Sequence, residues 1–137
     1  MIEINNLTTT LIDKEFLKKV CQKVLKIENK KDFDLSIALV GEVRIRELNR
    51  KYRKKDKITD VLSFQYNNSG EIVICLKKIK ENAKEFKVSF RYELVRILIH
   101  GVLHTLGYNH EKSKKEAEKM REKEENYLEK LQITSTK

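Results

Sequence analysis

A chain of 137 residues, 39% hydrophobic and 37% charged, can bury one core beneath a heavily solvated surface, and this favours a single domain over residues 1–137. Its formal net charge of +9 favours polyanionic partners over acidic-tail chemistry. The most apolar run, Ile97 to Leu106, is too short to span a bilayer and carries two histidines, and the opening Met-Ile-Glu-Ile-Asn-Asn lacks the basic-then-apolar layout of a signal peptide. The expectation is a cytoplasmic protein with no membrane association.

Ile2 and Ile4 alternate with polar residues as a short first strand would. Asp13 is a plausible N-cap for a helix in which Phe16, Leu17, Val20, Cys21, Val24 and Leu25 recur at helical spacing. Leu35 to Val40 reads as a buried strand. Glu42 to Tyr52 reads as a second helix with Ile45, Leu48 and Tyr52 turned inward. Two strand-like runs, Val61 to Tyr66 and Glu71 to Leu76, flank Asn67-Asn68-Ser69-Gly70, whose composition marks a hairpin loop. Leu76, Ile79, Ala83 and Phe86 fit a third helix.

Ser89 caps a fourth helix whose apolar residues, from Leu94 to Leu106, cover nearly its whole circumference. Such a helix belongs at the centre of the fold. The last helix, Lys112 to Leu131, turns Ala117, Met120, Tyr127, Leu128 and Leu131 inward. Its charges nearly cancel and are assigned to a solvated face without functional weight. The order β-α-β-α-β-β-α-α-α implies a small mixed sheet covered by helices. Cys21 and Cys75 form no C-x-x-C pair and are expected to be reduced core residues.

All three histidines fall in H-G-V-L-H-T-L-G-Y-N-H. His100 and His104 are four apart and share a helix face. Gly107 can end the helix in a positive-φ conformation, letting the chain fold back and bring His110 to the same point. Three neutral imidazoles without a fourth side chain suit one Zn²⁺ with an open position for water, the catalytic arrangement. Held on a buried helix, such ligands are preorganised by packing.

Positive charge gathers between Arg44 and Lys57, where eight Lys and Arg face two acidic residues. Arg50, Lys51, Lys54 and Lys55 are the candidate contacts to a phosphate backbone. Tyr52 within the segment can stack on an unpaired base, although its spacing from Ile45 and Leu48 favours a core position.

The segment L-N-R-K-Y-R-K-K-D-K-I-T-D-V-L-S-F (Leu48 to Phe64), then G-E-I-V-I-C (Gly70 to Cys75), then the histidine block resembles the YbeY family of bacterial metal-dependent endoribonucleases. The resemblance implies an α/β (α+β) fold with a four-stranded mixed sheet, His100, His104 and His110 as zinc ligands, and Arg53 as the basic residue tied to activity. It also implies action on single-stranded RNA in 16S ribosomal RNA maturation, in association with the ribosome or its small subunit. Asn109 stands where the family usually has Asp, Glu71 where it has Asp after the glycine, and Ile58 and Gln65 where prolines are common.

Three functions compete on these residues. The first is a zinc-dependent endoribonuclease in which Arg53 clamps a phosphate. The second is a metzincin-like peptidase, but Gly101 stands where that pattern carries its catalytic glutamate, forfeiting proton transfer worth roughly 10²–10⁴-fold. The third is a non-catalytic RNA-binding assembly factor braced by zinc. The first is adopted. Asp60 and Glu93 are carboxylates for the general-base role that are equally suited to structural ones. The sequence leaves open the nucleophile, water or 2′-hydroxyl, and the oligomeric state.

Overall fold

A computed structural model describes residues 1–135. The elements follow in the order β1 (Ile2–Asn6), α1 (Lys14–Ile27), β2 (Asp34–Val40), α2 (Glu42–Arg53), β3 (Val61–Gln65), β4 (Ser69–Cys75), α3 (Leu76–Phe86), α4 (Phe90–Thr105) and α5 (Lys114–Lys130). The strands form one four-stranded sheet in the order β1-β2-β4-β3. β1 and β4 run parallel to β2, while β3 pairs antiparallel with β4 and forms an edge. The fold is α+β, with the element order read from the periodicity.

Local signals hold where side chains close local hydrogen bonds. The Asp13 carboxylate accepts from the Phe16 N–H, and the Ser89 hydroxyl oxygen accepts from Tyr92 N–H, each satisfying an otherwise orphan donor of the first turn. The hairpin is tighter than its composition suggests. Tyr66 N–H donates to Ser69 O at 2.9 Å, so Ser69 and Gly70 belong to β4 and the turn itself is Asn67 and Asn68. The fifth helix begins two residues later than expected, because Ser113 accepts from Glu116 N–H as its N-cap.

The main core lies between one sheet face, carrying Leu35, Ile37, Leu39, Ile72 and Ile74, and helices α1, α4 and α5. α4 is at its centre: Val95, Leu98, Ile99, Val102 and Leu103 are fully buried. A β-carbon on Gly101 would stand 2.9 Å from Ile72 Cγ2, so this glycine allows α4 to sit close to β4. A smaller core on the other face joins Val40, Leu62, Val73 and Cys75 to Ile45 of α2. Both cysteines are buried and unbridged, and burial pushes the Cys21 thiol up to about 12.

Two apolar assignments fail. Tyr52 is 52% exposed, because α2 runs past the edge strand and its last turn has no sheet beneath it beyond Phe64, which Tyr52 meets edge-on at 5.4 Å. Phe86, at the end of α3, is 54% exposed.

Candidate metal centre and its basic rim

The last two turns of α4 and the loop after it bring the three histidines together. One nitrogen from each lies within 4.8 Å of the others, an arrangement able to hold one metal ion. His104 Nε2 and His110 Nδ1 are 2.8 Å apart. The return of the chain is a Schellman turn: Gly107 adopts φ +104°, its N–H donates to His104 O, and the Tyr108 N–H donates to Leu103 O. Asn109 then accepts from Glu111 N–H at 2.9 Å, an Asx turn spanning His110. Aspartate, the residue the resemblance implies at this position, offers the same acceptor, so the turn tolerates either residue.

Burial, with His100 and His110 adding to it, pulls the His104 imidazole down to about 4, so His104 favours the neutral, metal-binding form. Neutral imidazoles are donors of borderline softness, and the residues present fit a borderline divalent cation such as Zn²⁺.

α5, assigned no role from its charge pattern, places a buried carboxylate against the cluster. Glu124 is 5% exposed, and its Oε2 lies 2.7 Å from His100 Nδ1. A carboxylate only accepts, so Nδ1 carries the proton and Nε2 keeps its lone pair for the cluster. Arg96 bridges this carboxylate to a second one. Its Nη1 reaches Glu124 at 3.4 Å, while Nε and Nη2 donate to Glu93 at 3.0 and 2.9 Å. The line Glu93–Arg96–Glu124–His100 therefore fixes one imidazole from behind. The sequence did carry a signal: Met120, Glu124, Tyr127 and Leu128 lie four, three and one apart along one helical stripe, so Glu124 falls among inward residues.

Glu28, at the end of α1, braces the loop from the other side. It accepts from Tyr108 OH at 2.8 Å, from Lys123 Nζ at 3.0 Å and from Tyr127 OH. Burial raises its pKa, but the hydrogen bonds from Tyr127, Tyr108 and Lys123 outweigh burial and hold the carboxyl below its ordinary range. Through Tyr108 this hub anchors the chain between His104 and His110.

Neither general-base candidate is placed in the cluster. The Glu93 carboxylate is taken by Arg96, and Asp60 Oδ2 accepts from Asn82 Nδ2 at 3.2 Å. Gly101 is buried against Ile72, so the position where a metzincin carries its glutamate is directed at the sheet.

The basic segment is exposed along the end of α2 and the loop behind it. Arg50, Lys51, Arg53, Lys54 and Lys55 are all solvent-accessible. Asn49, 3% exposed, organises the loop: its side-chain Nδ2 donates to Lys57 O, and its backbone carbonyl accepts from Lys55 N–H. Asp56 pairs with Arg46 at 2.9 Å and Arg50 at 3.9 Å, not with Arg53. Arg53 instead donates through Nη2 to Ser63 O at 2.6 Å and places its guanidinium 4.9 Å from the Phe64 ring, on the outer edge of β3. At the far end of that strand, the Gln65 amide lies 3.7 Å from where a β-carbon on Gly107 would stand. β3 thus connects the basic rim to the loop carrying His110.

This arrangement has known relatives. The chain is 43% identical over 118 residues to an Endoribonuclease YbeY of Persephonella marina, covering 80% of this chain and 77% of that protein. It is 41% identical to one from Petrotoga mobilis, over 93% of this chain and 92% of the relative. A solution structure from Thermotoga maritima superposes with a TM-score of 0.73 at 38% identity, covering 94% of this chain and 87% of that one. The family model described as Endoribonuclease YbeY matches residues 3–132, and the chain belongs to the YbeY family.

Proposed function

We propose that this protein is a zinc-dependent endoribonuclease that cleaves single-stranded RNA in ribosomal RNA maturation. His100, His104 and His110 hold the metal, and Arg53 acts on the scissile phosphate. The observation that carries the reading is the convergence of three imidazoles beside an exposed basic rim in a chain of this family. When bound, the metal supplies Lewis acidity to a phosphoryl oxygen or an attacking hydroxyl.

The rest of the chemistry falls to the chain's own side chains. Arg50, Lys51, Lys54 and Lys55 draw in the phosphate backbone and release its counterions. Arg53 presents a planar fork with one N–H committed to Ser63 O, which fixes the guanidinium while its other donors serve a phosphate. Glu124 and the Glu28 hub hold His100 and the His110 loop in place, so that no ligand must be ordered when substrate arrives. Working in the cytoplasm on the small ribosomal subunit is part of the same proposal. In the structure, no helix among the described residues is long and apolar enough to cross a membrane.

The test is single-turnover cleavage of a single-stranded ribosomal RNA fragment by zinc-loaded protein, beside His104→Ala, with metal measured by elemental analysis. The expected result is one zinc per chain and cleavage, both lost in the variant. Stoichiometric zinc retained by His104→Ala overturns the ligand assignment, and undiminished cleavage without metal overturns the metal-dependent mechanism. A deoxyribose at the mapped position then separates the nucleophiles: abolished cleavage assigns attack to the 2′-hydroxyl, and retained cleavage assigns it to water.

A further inference from the structure

Three aromatic side chains gather on the rim where α2 meets the β3–β4 hairpin. Tyr52 and Tyr66 are 52% and 50% exposed, and Phe64 packs edge-on against Tyr52. Tyr66 closes the hairpin turn through its N–H. Tyr66 follows Phe64 by two residues along the extended strand, so the two rings share one face of the hairpin, and the nearby Glu71 raises the Tyr66 phenol.

Cations stand over these rings. Lys51 Nζ is 5.2 Å from the Tyr52 ring centre, and Arg53 is 4.9 Å from that of Phe64. Gln65, between Phe64 and Tyr66 in sequence, turns to the opposite face of β3, where its amide packs against Gly107, so the aromatic rings and the histidine loop meet opposite faces of one edge strand. Phe86, by contrast, is exposed on α3 and has no aromatic or cationic partner among the described contacts.

We propose that Tyr52, Phe64 and Tyr66 form a stacking platform for unpaired bases of single-stranded RNA, on the edge strand whose other face meets the histidine loop. Unpaired bases supply flat π faces, and the surrounding lysines and arginines supply the complement to the intervening phosphates. The charge pattern selects RNA over a protein partner, because an apolar protein surface would have to desolvate the same cations without a counter-charge. Duplex RNA, whose bases are stacked on one another, gains nothing from the platform. The preference for single strands assumed in the endoribonuclease reading then has a physical source outside the histidines. The platform rests on that reading for its purpose but is measurable by binding alone.

The experiment is fluorescence anisotropy with a labelled single-stranded ten-nucleotide RNA and the same ribose-phosphate chain with abasic sites. Zinc-loaded wild type is compared with Tyr52→Ala, Tyr66→Ala, the corresponding Tyr→Phe variants and Phe86→Ala. Wild type binds the base-bearing strand more tightly than the abasic one. Each alanine variant is expected to lose roughly five- to hundredfold affinity for the base-bearing strand, while abasic affinity and the salt slope stay unchanged. The phenylalanine variants and Phe86→Ala bind as wild type. Equal binding of abasic and base-bearing strands by wild type, or unchanged binding in both tyrosine-to-alanine variants, overturns the platform. Cleavage is read in the same samples. Base-dependent binding without cleavage by wild type leaves the platform standing and removes the nuclease reading, whereas cleavage with base-independent binding does the reverse.

Discussion

Replacing Glu124 by Gln changes one charge at nearly constant volume and tests whether the carboxylate acts on the metal through His100. Glutamine can still accept from His100 Nδ1–H, so the ring need not swing away. What is lost is the charge assistance that makes the imidazole a stronger donor. Removing such an outer partner lowers metal affinity by about 10–100-fold, and a conservative amide falls at the lower end, near tenfold. At saturating zinc a tenfold weaker Kd removes about 1.4 kcal/mol of metal-derived stabilisation. For a chain of this size that is roughly 4 °C in the zinc-dependent part of Tm. The metal-free protein also loses the long 3.4 Å contact from Arg96, which keeps Glu93 and is 30% exposed. That cost is about 1 kcal/mol and appears with or without zinc. The assay is therefore a pair: zinc competition against a chromogenic chelator, and thermal unfolding with and without metal. Zinc affinity within twofold of wild type, with stability lowered equally in both metal states, refutes the reasoning and reduces Glu124 to a packing residue.

Arg53→Lys keeps the charge but loses the fork; single-turnover cleavage should fall about 10²–10³-fold at nearly unchanged RNA affinity and zinc content, and wild-type rates would remove the clamp from this residue. Charge reversal at Arg50, Lys51, Lys54 and Lys55 together should flatten the dependence of log K on log salt, whereas an unchanged slope in RNA titrations places the phosphates elsewhere. Glu28→Gln should cost roughly 2 kcal/mol at neutral pH by urea unfolding. Because the native Glu28 pKa is depressed, that difference is full above the unfolded carboxyl value and vanishes as pH falls through the lower native one; a gap that persists at lower pH would contradict the assignment. Gly101→Glu, which installs the metzincin glutamate, should unfold or severely destabilise the protein rather than confer peptidase activity, because its side chain meets Ile72 in the core; a stable, wild-type-like melting curve would refute that packing.

Short-range physics made much of this protein legible in its sequence. The Asp13 and Ser89 caps, the wholly apolar α4, the Gly107 reversal and the i,i+4 histidine pair each depend on residues within one or two helical turns, so spacing alone specifies them. The element order followed from the same periodicity. Spacing failed where the answer depended on what lay opposite. Tyr52 keeps the inward phase of Ile45 and Leu48, yet it meets the sheet at its edge strand through Phe64 and stays half exposed, and only the strand order decides which strand is the edge. Glu124 looked like one more charge on a solvated helix. Packing α5 against α4 set it behind His100, 24 residues away in the chain, and a buried carboxylate there is tolerable only because Arg96 and the imidazole N–H meet it. Arg53 could have braced its own turn through Asp56 or Asp60. The antiparallel pairing of β3 offered a free edge carbonyl at Ser63 instead, and that is where the guanidinium went. The sequence by itself determined the histidine cluster and the helix that carries two of its members. Tertiary structure decided which distant carboxylates orient them and which aromatic rings stay at the surface, because those outcomes depend on long-range packing that no local period encodes.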